Sequence, residues 1–366
     1  MGMIMSWSNN ISIRRRRGFQ VGIEVELELP HGAHGLSSTN PEGWRVVSDG
    51  SLRNGYEMVT RSAVPYEDVP SRCASLADFI AANNFVATSR CSTHIHVNVT
   101  DLTAEQMKCF MYFTLCLEPL LMMYCSEGRR HNNYCLPAYI ASNTWREWRQ
   151  TAEFIERLDK CERGSPEVSE LWASRPDRGK YAAVSLFRLL DLGTVEFRMF
   201  DGTTDVANIA VLVELLKQIY DAALQSSVQE LIDTKVQHGV LSIATPLIRA
   251  ILGEDIPHSE LEQVMEKGVQ MANNMISQPL TLEELREMRG TLIGEQPVRS
   301  FDSANEAIAM YLAGDADAYS VANYFDMNIT ASHFSLLMAR RGSLSNSDLI
   351  AKYANLVAAC NSTEGV

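Results

Sequence analysis

The sequence has few of the features that mark a membrane, secreted or nucleic-acid-binding protein. It contains no run of eighteen or more apolar residues, as a transmembrane helix needs, and no signal peptide with an apolar centre before the first predicted strand. Basic residues are scarce, since 32 Lys and Arg against 45 Asp and Glu give a formal net charge of -13. Such a charge argues against general affinity for nucleic acid backbones or anionic membranes. We therefore expect a cytoplasmic protein that binds neither nucleic acid nor membrane.

The cysteines also lack an informative spacing. All eight fall outside CxxC pairs and zinc-finger patterns. Cys109 and Cys116 lie one heptad apart in an apolar helical stretch, where buried thiols are usually inert. Free thiols of this kind fit a reducing compartment.

What the chain does have is four short segments in which apolar side chains alternate with acids, histidines or an arginine. They are GIEVELEL at 22–29, SDGSLRNGYEMVT at 48–60, STHIHVNVT at 92–100 and GTVEFRMFDGT at 193–203. Because successive side chains of a strand point to opposite faces, each segment predicts a strand with an apolar and a polar face. If these strands pair in one sheet, the apolar face packs on a core and the other gathers the charged groups.

The polar faces hold mainly acids and histidines, with no lysine among them. They carry Glu24, Glu26, Glu28, Glu57, His94, His96, Asn98, Glu196 and Arg198. A solvated outer face also alternates, but it usually mixes Lys, Thr, Ser and Gln. Neighbouring carboxylates repel and raise one another's pKa unless a cation lies between them. We therefore favour a metal or phosphate-handling site over a solvated face.

Helical patterns fill most of the remaining sequence. The spacing predicts a helix over 69–84, and Thr103 with Gln106 forms a capping box for an apolar helix that runs towards Tyr124 and is bent or ended near Pro119. Another helix is predicted over 206–231. The polar stretch 127–148 is interpreted as a substrate lid or binding loop, with an ordinary surface loop as the alternative.

The chain is divided on these patterns into three parts. Residues 1–18 form a basic arm whose arginines at 14–17 are interpreted as solvated, residues 19–235 a catalytic domain, and residues 236–366 a helical C-terminal region of unknown role.

The polar faces have the ligand chemistry of a divalent ion site. Mg²⁺ and Mn²⁺ prefer oxygen ligands, and Mn²⁺ also accepts imidazole. Candidate ligands are Glu24, Glu26, Asp49, Glu57, His94 and Glu196. Arg198, on the same face as Glu196, would hold a phosphoryl group or a carboxylate with two hydrogen bonds. Ions and a guanidinium together form the clamp that phosphoryl transfer requires.

The ordered set GIEVE, DGSL with EMVT, THIHVNV and TVEFRMF resembles the amidoligase family, a branch of the superfamily that contains glutamine synthetase and glutamate-cysteine ligase. The resemblance spans roughly residues 19–204 and rests on the order of motifs that are individually weak. It implies an α+β fold, with a curved antiparallel sheet of the glutamine-synthetase-like catalytic type, flanking helices and a helical C-terminal region. The concave face of that sheet would bind ATP and divalent ions, Mg²⁺ or Mn²⁺.

The resemblance also implies individual roles. Glu24 and Glu26 would serve different ions, Asp49 and Glu57 would supply the second acidic pair, and His94 and Glu196 would complete the metal site on the nucleotide side. The residues expected to be catalytic are Arg198, Glu57 and Glu196. Expected nucleotide or phosphate contacts are His96, Arg198, Arg130 and Ser185. The chain departs from its relatives before the last strand, where they often carry an Arg-Tyr and Asn-bearing segment and this chain has Lys180, Tyr181 and Ser185.

The sequence therefore predicts an ATP-dependent carboxylate-amine ligase that forms an amide through an acyl phosphate. Its partners would be a carboxylate and an amine from amino acids, peptides or cell-wall fragments, and a homo-oligomer is compatible with the sequence.

Two other classes of protein are kept as alternatives. One is a metal-dependent hydrolase or oxygenase in which His94 and His96 hold zinc or iron. The other is a non-catalytic binding protein, because residues 320–338 faintly resemble a helix-turn-helix.

Overall fold

The fold is known from a computed structural model. It describes residues 7–10, 16–33, 35–36, 39–130, 132, 134–138, 142–163, 165–173, 182–231, 264, 266 and 268–273. The chain divides into two compact units, residues 1–137 with 146–279 and residues 138–145 with 280–366. Apart from Ala138 and residues 142–145, the described residues belong to the first unit.

In the part of the chain that the structure describes, seven strands form one open antiparallel sheet. They are β1 (Gln20–Glu28), β2 (Trp44–Asp49), β3 (Gly55–Thr60), β4 (Val64–Pro65), β5 (Ser92–Asn98), β6 (Val184–Ser185) and β7 (Thr194–Asp201). Their order is β2-β3-β1-β5-β7-β6, and β4 pairs with β1. The predicted strands in the four alternating segments are therefore confirmed, and they lie side by side in the centre of the sheet.

Helices flank the sheet and complete the predicted α+β fold. They are α1 (Val69–Asn83), α2 (Ala104–Tyr124), α3 (Glu127–Arg130), α4 (Ser142–Lys160), α5 (Pro166–Ala173), α6 (Leu189–Leu192) and α7 (Val206–Gln225), with short 3₁₀ turns at Trp7–Asn10 and Tyr66–Asp68. Among the described residues, no helix is long and apolar enough to cross a membrane.

The apolar face of the sheet forms the core with α1, α2 and α7. Ile23, Ile95 and Phe197, on three adjacent strands, are all fully buried. Phe110 of α2 meets Phe197 edge to face, with ring centroids 6.4 Å apart. Burying a large apolar side chain contributes roughly 1.5–3 kcal/mol, so this face anchors the strands firmly. The polar side chains on the other face are thereby held on a rigid support.

The start of α2 agrees with its sequence signal. Thr103 Oγ1 accepts a hydrogen bond from the Gln106 backbone N–H at 3.2 Å, and Gln106 Oε1 accepts from the Thr103 N–H at 3.0 Å. This reciprocal capping box satisfies two N–H groups that a helix start leaves unpaired.

Helix α2 runs to Tyr124, as predicted, and Pro119 lies inside it, so the helix does not end at this proline. Its largely buried surface outweighs the backbone hydrogen bond that proline removes. Two other local expectations were wrong. Helix α7 ends at Gln225, where Ser226 is extended, rather than at Leu231. Part of the predicted loop at 127–148 is helical, since it contains α3 and the beginning of α4.

Other expectations concern residues that the structure does not describe. They include most of the N-terminal arm, the predicted domain boundary at residue 236 and the stretch that resembles a helix-turn-helix at 320–338. These stay predictions.

One glycine fixes how closely the end of β7 approaches the start of β5. The Gly202 N–H donates to the Cys91 carbonyl oxygen at 3.0 Å. A Cβ at Gly202 would lie 2.4 Å from the Cys91 Cβ and 2.9 Å from its carbonyl carbon. Both distances are shorter than real carbon contacts, so any side chain there would push the two strands apart.

We therefore expect Gly202→Ala to destabilise the protein by about 1–3 kcal/mol, as overpacking does in well-packed regions. Urea unfolding measures the change in free energy. The matched control is Gly50→Ala in the β2–β3 turn, where a Cβ meets no atom within 4 Å. That control should stay within about 0.5 kcal/mol of wild type. Equal stability of the two variants would contradict the close approach of β5 and β7.

Candidate active site

The polar face of the sheet carries a cluster of acidic and basic side chains. The strand register produces three cross-strand pairs within it, Glu26 with Glu57, Glu24 with His94 and His96 with Glu196. Glu26, His94, His96 and Glu196 are each more than nine-tenths buried. Because buried charges are costly unless they are paired, this is not an ordinary solvated face.

His94 lies at the centre of the cluster. Its Nδ1 is 3.2 Å from Glu24 Oε2 and 3.8 Å from Glu196 Oε1. Its Nε2 is 2.8 Å from the hydroxyl oxygen of Ser92 and 3.9 Å from Glu26 Oε1. One ring nitrogen therefore faces two carboxylates, and the other meets a serine hydroxyl.

His96 repeats this arrangement one row further along β5. Its Nδ1 lies 3.2 Å from Thr194 Oγ1. Its Nε2 lies 3.3 Å from Glu24 Oε1 and 3.9 Å from Glu196 Oε1, off the line of a hydrogen bond. This buried Nε2 has no hydrogen-bond partner within the part of the chain that the structure describes. A buried nitrogen aimed between two carboxylates has the geometry of a potential cation ligand.

Arg198 enters the cluster from a β-bulge in β7. Between the pairs Thr93–Phe200 and Ile95–Phe197, the single residue His94 on β5 opposes both Arg198 and Met199 on β7. A bulge re-aims the side chain that it carries. Here the Arg198 Nη1 donates to Glu196 Oε1.

A second arginine supports the bulge from behind. The guanidinium of Arg129 in α3 is buried and donates to the carbonyl oxygens of both bulged residues, Arg198 and Met199. A bulge leaves backbone groups without ladder partners, and Arg129 satisfies two of them. It thus fixes the backbone from which the Arg198 side chain extends.

The pKa values of two carboxyl groups in the cluster, Glu24 and Glu57, are shifted in opposite directions. Burial opposes ionisation of Glu24, but the hydrogen bond from His94 and the adjacent His96 outweigh it and lower the Glu24 pKa far below its ordinary value. Burial, followed by the charges of neighbouring carboxylates with Glu24 foremost, raises the pKa of Glu57 to about 8. At neutral pH the metal-free cluster therefore retains a proton on Glu57, which a nearby cation would displace.

Two sets of side chains in the cluster have the geometry to hold a metal ion. Glu24, His96 and Glu196 form one set, and Glu24, Glu57 and His94 form the other. In each set the ligand atoms lie within 4.8 Å of one another, and Glu24 belongs to both. Two carboxylates and one imidazole suit Mn²⁺ and similar ions, with water or phosphate oxygens to complete the coordination.

The remaining predicted residues are not all part of this cluster. Asp49 lies on the same face of the sheet, but its side chain is bonded to the following turn. Its Oδ1 accepts hydrogen bonds from the backbone N–H and the hydroxyl of Ser51, each at 2.7 Å. Ser185 is buried and pairs with Glu196 across the β6–β7 ladder. Arg130 donates to carbonyl oxygens at the end of α2, including that of Cys125 at 2.8 Å, so its guanidinium caps a helix.

Sequence reasoning missed Ser92, Thr194 and Arg129 as contributors to the site. Ser92 and Thr194 begin β5 and β7 and share the polar face with the histidines, so the period of two contained a signal for both. Arg129 had no comparable signal, because its contact depends on the bulge. Lys180 and Tyr181 lie outside the described residues.

More than half of the chain is similar to a known protein family. A family model described as "Putative amidoligase enzyme" matches residues 17–220, which is more than half of the chain. No curated protein matches. The matched range contains all seven strands and the whole cluster. It supports a ligase and gives no support to the hydrolase, oxygenase or binding-protein alternatives.

The raised pKa of Glu57 predicts how stability depends on pH in the metal-free protein. The native state holds this proton up to about pH 8, whereas the ordinary glutamate value is 4.5. The stabilising effect of the bound proton is therefore present below pH 4.5 and is lost as pH rises towards 8. We expect the unfolding free energy of wild type to fall relative to Glu57→Gln over this range, by at most about 1.4 kcal/mol per pH unit.

Urea unfolding in EDTA at a series of pH values measures this difference. Glu67→Gln, which changes an exposed glutamate, is the control and should follow wild type at every pH. A difference between Glu57→Gln and wild type that did not change with pH would show that Glu57 ionises normally in the native state.

Proposed function

This chain belongs to the amidoligase family, and we propose that it is an ATP-dependent ligase that joins a carboxylate to an amine through an acyl phosphate. The observation that carries the proposal is the pair of ligand sets that share Glu24 and lie beside Arg198. Enzymes that transfer phosphoryl groups use divalent ions and a guanidinium together in this way.

The residues of the cluster fit divalent ions. Glu24, Glu57 and His94 would hold one ion, and Glu24, His96 and Glu196 another. The fit is supported by the unpartnered Nε2 of His96 and by the proton that Glu57 retains among carboxylates. When bound, such ions would neutralise charge on the phosphates of ATP.

Arg198 is the residue proposed to contact the group that is transferred. Its side chain is mostly buried, Nη1 is held by Glu196, and Nε has no hydrogen-bond partner among the described residues. The guanidinium therefore keeps donors for a phosphate or carboxylate oxygen. Because Arg129 fixes its backbone, Arg198 needs little reorganisation to bind that oxygen.

The proposed reaction has two balanced steps. In the first, a carboxylate oxygen of the substrate attacks the γ-phosphorus of ATP, the bond to the bridging oxygen breaks, and ADP leaves. In the second, the amine nitrogen attacks the acyl carbon, the bond from that carbon to the phosphate oxygen breaks, and inorganic phosphate leaves with the bonding electrons. The amine loses a proton to solvent or to a nearby base, and the product is an amide.

Coupled ADP release is the first test of this function. The purified full chain is incubated with ATP, Mg²⁺ or Mn²⁺, and panels of amino acid, peptide and cell-wall-fragment carboxylates and amines. We expect ADP formation that requires both a carboxylate and an amine, with one amide bond formed per ADP. Mass spectrometry identifies the product. ATP hydrolysis that needs neither substrate, or amide formation without ATP, would refute the proposal.

Two substitutions test the cluster once a substrate pair is found. Glu24→Gln and Glu196→Gln each remove a carboxylate that would hold an ion, so we expect loss of turnover by at least about 100-fold with the fold retained. The exposed substitution Glu67→Gln serves as the control. Circular dichroism and urea unfolding establish that the variants are folded. Full turnover in either folded variant would rule out the metal assignment.

Arg198→Lys keeps a positive charge but cannot make two parallel hydrogen bonds. We expect kcat to fall about 10- to 100-fold in this variant, because a phosphate contact made in the transition state is weakened. Steady-state kinetics with saturating ATP separate kcat from KM. An unchanged kcat would exclude contact between Arg198 and the transferred group.

A further inference from the structure

Gly22 is a glycine inside a central strand that its own surroundings do not require. It lies on the polar face of β1, two residues before Glu24 and opposite His96 of β5. A glycine inside a strand costs stability, because it loses more backbone entropy on folding than other residues and packs no side chain. Its usual causes are a left-handed backbone, a bulge, or the close approach of other atoms to the backbone.

Neither a left-handed backbone nor a bulge in β1 explains Gly22. Its φ lies outside the left-handed region that Gly43 and Gly193 occupy. On the β5 side, the pairing of Gly22 with His96 continues on both sides without a shift of register. On the other side the register does shift, but the extra residues belong to segment 61–63, which joins β3 to β4. The backbone of Gly22 is therefore that of a regular strand, which other residues also adopt.

Close packing within the chain does not explain Gly22 either. A Cβ at this position would lie 3.4 Å from the Cβ of His96, which is an ordinary contact, and no other atom of the described residues would be closer. At Gly55 and Gly202, by contrast, a Cβ would lie 2.3 Å from Leu52 and 2.4 Å from Cys91. Gly22 thus has room for a side chain and is partly exposed. The remaining cause is a ligand that approaches the backbone.

A second observation beside Gly22 also points to a ligand. The ring carbon Cδ2 of His96, which is bonded to Nε2, would lie 4.0 Å from the Cβ at Gly22. His96 is more than nine-tenths buried, and its Nε2 has no hydrogen-bond partner among the described residues. A buried polar atom of this kind calls for a partner that the chain does not supply. Gly22 and this nitrogen therefore border the same opening.

Two valines continue the uncharged surface that begins at Gly22. Val59 of β3 pairs with Glu24 and lies diagonally across from Gly22, and Val47 of β2 lies beyond it on the same face. Both valines are half-buried. We call Gly22, Val59 and Val47 the apolar shelf. A ligand on this shelf would contact uncharged atoms immediately beside the carboxylate cluster.

The order of the strands indicates which part of a ligand the shelf would contact. Arg198 is on β7, the proposed ions lie over β5 and β1, and the shelf follows on β1, β3 and β2. In phosphoryl transfer the ions bridge the β- and γ-phosphates, and the leaving group is in line with the attacking oxygen on the opposite side of the γ-phosphorus. With the transferred group at Arg198, ADP would extend away from β7, over the ions and onto the shelf.

We propose that the apolar shelf lies under the nucleoside of ATP, and that residue 22 is glycine because the nucleoside packs against its backbone. The nucleoside is the uncharged part of ATP, so it suits the uncharged side of an otherwise acidic face. The inference rests on the proposed function and goes beyond it, because it assigns nucleotide affinity to residues that hold no ion. The carboxylate substrate then approaches Arg198 from the opposite side, near β6.

Calorimetric titration of the full chain with ATP and with inorganic tripolyphosphate, both at saturating Mn²⁺, tests the proposal. Tripolyphosphate has the phosphates without the nucleoside. In Gly22→Ala the added methyl group takes the place of the nucleoside, so we expect ATP to bind about 10- to 100-fold more weakly and tripolyphosphate to bind as in wild type. Gly22→Val should weaken ATP binding further. Val59→Ala, which removes apolar contact, should weaken it about 3- to 10-fold.

Stability measurements separate a role in binding from a role in packing. Because a Cβ at Gly22 fits a regular strand, the urea midpoint of metal-free Gly22→Ala should be no lower than that of wild type. Mn²⁺ binding without nucleotide, followed by electron paramagnetic resonance, should also be unchanged in this variant. The matched control is Val211→Ala, which shortens an exposed valine of α7 and should equal wild type in every measurement.

Several results would overturn the inference and leave the proposed function in place. They are unchanged ATP affinity in Gly22→Ala or Val59→Ala, equal weakening of ATP and tripolyphosphate, and a lower urea midpoint in Gly22→Ala. A raised KM for the carboxylate with unchanged ATP affinity would also overturn it, because the shelf would then belong to the other substrate. If wild type bound neither ATP nor tripolyphosphate, the proposed function itself would fail, and this inference with it.

Discussion

Repulsion among four glutamate carboxylates on one buried face of a sheet is the constraint on which the rest of this structure depends. Glu24, Glu26, Glu57 and Glu196 come together because antiparallel pairing brings their strands side by side. Negative charges at such distances cost several kcal/mol when water is excluded. The other polar groups of the cluster reduce this repulsion by pairing with the carboxylates.

The group that stabilises the negative charge differs from one carboxylate to the next. Glu24 is stabilised as an anion by two imidazoles, Glu196 pairs with Arg198, and Glu26 is bonded to the backbone and hydroxyl of Ser92. Glu57 has no such partner strong enough to offset its burial and its neighbours, so its pKa rises to about 8. A cation bound beside Glu57 would displace this proton, and this exchange would link the electrostatics of the cluster to the proposed chemistry. The fully buried apolar side of the sheet holds this unfavourable arrangement in place.

Much of this arrangement was predictable from the alternation of apolar and polar residues, with a period of two, in the four strand segments. That period placed Glu24 and Glu26 on one face of β1 and His94 and His96 on one face of β5, because alternation follows from strand geometry alone. The capping box at Thr103 was equally local. Register was not predictable, since it depends on which strands meet, and so the sharing of Glu24 between two ligand sets could not be derived. The bulge at Arg198 and its support by Arg129 depend on contacts across the fold. The same limit applies at Pro119, where the sequence left a bend or an end of the helix open and the tertiary burial of α2 decides that the helix continues.

We propose that the carboxylates of this face hold divalent ions on both sides of Glu24. Anomalous X-ray scattering from crystals of the full chain soaked in Mn²⁺ would locate these ions. We expect two anomalous peaks, one among Glu24, Glu57 and His94 and the other among Glu24, His96 and Glu196. Well-ordered crystals in which the cluster gave no anomalous peak at saturating Mn²⁺, or in which the peaks lay away from Glu24, would contradict it.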